Sequence, residues 1–178
     1  MREKMASENV LAGSPRGEIA PNIGIPDANR EAVVQILARL LADEYILYTK
    51  TRKYHWNVTG QRFQQLHEFF KAQYTQLEIT IDDVAERMPQ LGGKAVATLE
   101  EFRQLARITE DAGQYPEANK MLSNLLVDHE SVIRNLRTDS DACAEQHSDM
   151  GTNDFLIGLM EQHEKMAWMI RAHIEGSA

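Results

Sequence analysis

Apolar positions recur at three- and four-residue steps along four long stretches of this chain, the spacing of a helix with one buried face. The first stretch opens at Pro26-Asp27, with Asp27 as N-cap, and carries Val33, Ile36, Leu37, Leu40, Leu41, Ile46 and Leu47. It continues through Tyr48 toward His55, about 30 residues, and Asn57 and Gly60 end it. The second runs from about Arg62 to Met88, where Pro89 and Gly92-Gly93 stop it; at the helical rise it is roughly 40 Å long. The third begins at Pro116, a favoured first-turn residue, and carries Met121, Leu122, Leu125, Leu126, Val132, Ile133 and Leu136 toward Gln146. The fourth is capped by Thr152 or Asn153, places Leu156, Leu159, Met160, Met166, Ala167, Ile170 and Ile174 on one stripe, and closes at Gly176. Between Gly93 and Tyr115, Thr98 and Glu101 form a capping box that predicts a short helix over about Leu99–Ala106. A connection of that length spans a bundle, so the second and third long helices run parallel. The pattern predicts an all-α four-helix bundle with a long crossover that carries a short helix.

Residues 1–25 lie outside this periodicity. Arg2, Lys4 and Arg16 are set against Glu3, Glu8 and Glu18, which reads as a charge-balanced arm ahead of one domain over 26–178. A DNA-binding arm needs clustered cations to release counterions, and the whole chain carries a net charge of −8. Both argue against DNA and anionic membrane as partners. No apolar run approaches the roughly 20 residues of a membrane span, and the N-terminus shows no apolar signal core. The single cysteine, Cys143, excludes an intrachain disulfide and fits a reducing compartment, so the expectation is a cytoplasmic protein.

Four residues carry candidate chemistry. His55, His67, Asp82 and Glu86 are donors that suit Fe(II), Zn(II) or Mn(II). Asp82 and Glu86 are one helical turn apart and share a face. His67 is on the same helix, roughly 22 Å before Asp82. Ligands of one metal lie about 2 Å from it, so these residues cannot form one site in one chain. Either they are unrelated, or the site is shared between two copies. A two-fold axis between Tyr74 and Thr75 brings His67 of one chain against Asp82 of the other, making two identical sites per dimer. The other bundle signature, Glu-x-x-His on two helices, is absent: the residues three before the six histidines are Arg52, Gln64, Leu126, Ala144, Met160 and Ile170.

The run HWNVTGxxFxxLH over 55–67 followed by DDVAERMPQLGG, with DMGTNDF at 149–155 and HEKMAWMIRAHIEG at 163–176, resembles the Dps family, the mini-ferritins of starved bacterial cells. The resemblance covers roughly 30–176. It implies a ferritin-like four-helix subunit that self-associates through two-fold and three-fold interfaces into a hollow homododecamer. It implies oxidation of Fe(II), with hydrogen peroxide as the preferred oxidant, storage of ferric mineral, and a place in the cytoplasm with nucleoid association open. The family's two-histidine side falls on His55 and His67 and its carboxylate side on Asp82 and Glu86. Its acidic pores for iron, around the three-fold axes, fall near Asp149 and Asp154, for which loop and N-cap carboxylates are the plain alternative.

One departure stands out. The family usually has an acid one turn after the second histidine, and here that position is Lys71. A protonated lysine has no lone pair to donate. The second, weaker iron position is therefore in doubt, and zinc becomes the alternative metal. The two-fold pairing sets Lys71 against Glu78 of the other copy as an ion pair. Glu78, Glu68 and His163 are the accessory ligand candidates. Trp56 is expected to pack beside the site, and Met121, Met160, Met166 and Met169 to fill the core. His129 and His163 lie on apolar stripes. Counted from a turn near Met150 they are offset by about eight residues, roughly 12 Å, and are not expected to face each other. His147 and His173 read as solvated or helix-end residues. A ferroxidase shell is the leading reading; a DNA-compacting or structural shell with a weakened, zinc-preferring site is the alternative.

Overall fold

The structure, a computed structural model, describes residues 20–175, so most of the N-terminal arm lies outside it. Five helices make up its regular structure: α1 (Asp27–Asn57), α2 (Phe63–Gln90), α3 (Leu99–Leu105), α4 (Ala118–Glu145) and α5 (Met150–Glu175). None of the described helices is long and apolar enough to cross a membrane. The inward stripes meet in one core, with Leu37, Leu47, Leu66, Phe70, Leu77, Leu122, Leu136 and Ile170 fully buried. Each such side chain contributes on the order of 1.5–3 kcal/mol relative to exposure, and that burial holds the helices together.

Cross-helix pairs set the directions. His55–His67 and Tyr48–Tyr74 ring contacts run α1 antiparallel to α2. Lys50–Asp128 and Tyr54–Asn124 hydrogen bonds run α1 antiparallel to α4. It follows that α2 and α4 are parallel, which only a crossover along the length of the bundle permits. The crossover is fastened twice. The Arg107 guanidinium binds Asp43 on α1 and Asp139 on α4, each at 2.7 Å, while the main-chain N–H groups of Arg107 and Ile108 donate to Asp43. Further on, Asp111 accepts from Tyr54 at 3.3 Å and faces Lys50 at 3.6 Å. Burial pushes the Asp43 carboxyl above its ordinary value despite the guanidinium beside it. The same burial pushes the Tyr54 phenol up to about 12. α3 packs on α1 by stacking Phe102 on Tyr45 at 4.0 Å, behind the expected Thr98–Glu101 capping box.

Four helix ends differ from the sequence expectation. Asp27 is the first residue of α1 and not its cap: Pro26 holds the cap position and no side chain caps the helix. α2 runs one residue past Pro89 to Gln90; the proline cannot donate to the Ala85 carbonyl, and the helix closes at once as the Leu91 and Gly93 N–H groups turn back to the Met88 carbonyl. Gly92, at φ +84°, then reverses the chain, and Gly93 passes so close to Val34 that an added Cβ would lie 2.5 Å from it. α4 starts two residues after Pro116, with the Glu117 carboxylate accepting from Asn119 and Lys120 N–H. α5 starts at Met150, because Asp149 rather than Thr152 or Asn153 is its cap.

Candidate metal centre

The α1–α2 turn builds the outer site. Val58 ends α1 in extended conformation, Gly60 takes φ +100°, and α2 returns along α1. The last turn of α1 is thereby set against the second turn of α2. His55 Nδ1 lies 2.7 Å from the His67 carbonyl oxygen, and His67 Nδ1 lies 2.9 Å from that of His55. A carbonyl only accepts, so both Nδ1 atoms carry the proton, and in the neutral rings both Nε2 atoms are lone-pair donors. The rings stack at 3.7 Å between centroids and 24° between planes. Tyr74 meets the His55 ring edge-on at 5.3 Å and Phe63 flanks His67 at 5.1 Å. Main-chain bonds on the far nitrogen are the device that orients a histidine for a metal. Two imidazoles are thus fixed in orientation with an Nε2 lone pair that could bind a metal, one ring buried and one half-buried.

The carboxylates are elsewhere on α2. Asp82 and Glu86 are exposed, as are Lys71, Glu78 and Glu68, and Glu68 accepts from Gln64. Among the described residues no three His, Cys, Asp or Glu side chains converge on a point that would hold a metal within one chain. Lys71 and Glu78 are exposed, and neither is in an ion pair with another described residue. Beside Glu86, a cavity of about 360 Å³ is lined by Asp83, Glu86, Arg87, Gln90, Gly151 and Phe155.

Of the pore candidates, Asp149 is buried and spent locally. Its carboxylate accepts from Thr152 N–H at 2.9 Å and Thr152 Oγ1 at 2.6 Å, with Arg87 at 3.5 Å. Asp154 is exposed. Trp56 is 64% exposed within the subunit, with Arg52 rather than the histidine pair against its ring at 5.0 Å. Cys143 is buried, and its thiol is pushed up to about 12.

His129 and His163 correct the sequence expectation. They face each other inside the bundle, Nδ1 to Nδ1 at 3.0 Å. The offset argument centred the α4–α5 turn on Met150. The two residues are in fact equidistant from Gln146, because the tight turn at 146–149 sits earlier, as the Asn153 side-chain bond to the Ser140 carbonyl also requires. His163 therefore stands in the core, its Nε2 2.8 Å from Glu44 Oε1, and not on the outer face with His55 and His67. Burial, and then the neighbouring His163, hold His129 well below its ordinary pKa. Glu44 was missed by the sequence reading. The signal was present: it is a carboxylate four residues after Leu40 and three before Leu47, on the apolar stripe of α1.

Known proteins place this geometry. The ferritin-like domain family matches residues 34–177. The chain is 48% identical over 155 residues to an uncharacterized low temperature-induced protein of Nostoc, covering 87% of each. It is 37% identical over 143 residues to DNA protection during starvation protein 2 of Bacillus anthracis, covering 80% of this chain and 96% of the relative. In three dimensions it is similar to a Dps protein of Vibrio cholerae described as a member of a superfamily of ferritin-like diiron-carboxylate proteins, with TM-score 0.82, 26% identity, and 90% and 99% of the two chains covered. The resemblance of the 55–93 stretch and the bundle with its crossover agree with these likenesses, and the chain belongs to the Dps family.

Proposed function

We propose that this protein stores and detoxifies iron by oxidising Fe(II) at centres shared between two subunits, protecting the cell from oxidative damage. The observation that carries this reading is the reciprocal His55–His67 pair, whose Nδ1 protons are committed to main-chain carbonyls while both Nε2 lone pairs remain to bind a cation. Asp82 and Glu86 from a second copy complete the ligand set, since both are exposed on the same helix and cannot reach the histidines of their own chain. Neutral imidazoles suit Fe(II), and carboxylates favour the Fe(III) product. Hydrogen peroxide is the oxidant in this reading. Two Fe(II) each give up one electron, the O–O bond breaks, and two protons are taken up to leave two Fe(III) and two waters. No hydroxyl radical is released.

Self-association follows from the incomplete site. A two-fold contact along α2 forms the centres, and further contacts close a hollow homododecamer that holds the ferric mineral. Lys71 meets the partner's Glu78 across the two-fold contact as an ion pair, so the first iron binds at the four ligands and the second binds weakly. Zn(II), which accepts histidine and carboxylate in four-coordinate sites, competes for the same position. Asp154 and the other exposed acids, on a chain of net charge −8, draw Fe(II) toward the shell. The protection is exerted through iron rather than through DNA contact, and the protein works in the cytoplasm. The test is anaerobic Fe(II) loading followed by a peroxide pulse, reading ferric absorbance. The wild type should respond and His67→Ala should not; an equal response in both would overturn the reading.

A further inference from the structure

The bundle interior holds a polar chain that the outer centre does not use. Glu44 on α1, His163 on α5 and His129 on α4 are each fully buried. A carboxylate accepts, so the 2.8 Å contact puts a proton on His163 Nε2. In the neutral ring Nδ1 is then a lone pair, and it points at His129 Nδ1, 3.0 Å away. Two imidazole nitrogens this close are joined either by the Nδ1–H of His129, as a neutral hydrogen bond, or by a metal cation. With both rings neutral, the chain carries the whole charge of Glu44. Its neighbour Asp43 has Arg107, and the buried Asp128 has Lys50, but Glu44 has no Lys or Arg at ion-pair distance among the described residues. Glu44 Oε2 and His129 Nε2 are buried without partners. Each is a desolvation cost that an apolar side chain would avoid.

We propose that His129 and His163 form a second, intra-subunit metal site for a first-row divalent transition metal, with Glu44 as its positioning residue. Imidazole nitrogen suits Zn(II), Fe(II) and Cu(II). Bonds of about 2.0–2.1 Å at near-tetrahedral angles need the two nitrogens roughly 3.3 Å apart, close to the observed spacing. Glu44 occupies the far nitrogen of His163, the place from which a carboxylate fixes the tautomer and aims the ligating lone pair. Gln73 on α2 is buried with a partnerless side-chain oxygen, two residues or about 3 Å of helical rise from the level of His163 as the Gln76–Gln162 bond sets it. The site is a two-nitrogen one backed by a carboxylate, in keeping with the absence of any three-ligand convergence among the described residues.

The test uses full-length protein with the outer centre removed by His55→Ala and His67→Ala, so its result is independent of the ferroxidase reading. After chelator treatment and prolonged warm incubation with Co(II), bound cobalt is counted and its visible ligand-field bands are recorded, with circular dichroism and size exclusion to confirm folding. One cobalt per chain is expected, with the bands abolished by adding His129→Leu. Glu44→Gln, which keeps shape and removes charge, should weaken binding about 10- to 100-fold. If His129→Leu does not fold, the Glu44→Gln affinity decides. A folded outer-site variant that takes up no cobalt, or one whose affinity is unchanged by Glu44→Gln, overturns the proposal.

Discussion

His55 and His67 give their Nδ1 protons to each other's carbonyl oxygens, whereas His129 and His163 meet Nδ1 to Nδ1 with a carboxylate behind one of them. The first pair is anchored to main chain that the α1–α2 turn fixes, and its ligand atoms are left unspent at the subunit surface. The second pair is anchored only by side chains, in a core that excludes water. Outside, an incomplete ligand set costs little, because water and a second subunit are available to complete it. Inside, every unpaired polar atom is desolvated for as long as the chain is folded. Damage to the outer pair should therefore appear in activity, and damage to the inner pair in stability and metal content.

The largest effect should come from His67→Ala. Loss of orienting groups alone lowers metal affinity about 10- to 100-fold, and loss of a ligand should exceed that. Peroxide-driven ferric absorbance should fall by more than about 100-fold, while the half-buried position keeps the melting temperature within a few degrees. Stopped-flow absorbance beside calorimetry checks both. Next comes Arg107→Met, which leaves Asp43 buried and unpaired and severs the crossover from α1 and α4. A loss of about 3–5 kcal/mol in denaturant unfolding is expected. Glu44→Gln should cost less, about 1–3 kcal/mol, since it weakens one contact to an imidazole and leaves no charge stranded. If Glu44→Gln cost as much as Arg107→Met, the two adjacent carboxylates would be equivalent supports and the contrast between outer and inner pairs would lose its basis.

Lys71→Glu sharpens the contrast from the other side. A carboxylate one turn after His67 adds a ligand at the outer centre and should roughly double the metal bound there. If Lys71 pairs with the partner's Glu78, the variant sets two acids together, so dimer contacts should weaken at low salt and recover at high salt. Metal counting and sedimentation at two ionic strengths separate these effects. An unchanged metal count would show that Lys71 does not limit the centre.

The bundle was legible because its information is periodic: apolar spacing, the Thr98–Glu101 box and the glycines at 92–93 each act locally. That one chain cannot join His55 and His67 to Asp82 and Glu86 was legible for a different reason, since helical rise alone forbids it. What escaped was register. His129 and His163 meet because the α4–α5 turn lies a few residues earlier than Met150, and a shift of one turn moves a side chain by about 5 Å. Glu44 escaped because a lone acid on an apolar stripe carries no motif, and its partners are supplied by α5 and α4. Asp149 resisted assignment because pore and cap carboxylates share one local sequence, and only the Thr152 bonds tell them apart.

The smallest expected effect concerns that last pair of acids and carries the same logic to the route iron takes. Asp149 is buried and bound to Thr152, so Asp149→Ala should cost about 1 kcal/mol through loss of a helix cap. Its carboxylate faces Arg87 and the start of α5, not solvent, so the initial rate of ferric absorbance should be unchanged. Asp154 is exposed, so Asp154→Asn should leave stability within about 0.5 kcal/mol. If its charge draws Fe(II) to the shell, Asp154→Asn should slow the initial rate severalfold at low salt, with the difference shrinking as salt screens it. A slowed rate in Asp149→Ala, with stability untouched, would reverse the assignment and make the buried acid part of the iron path.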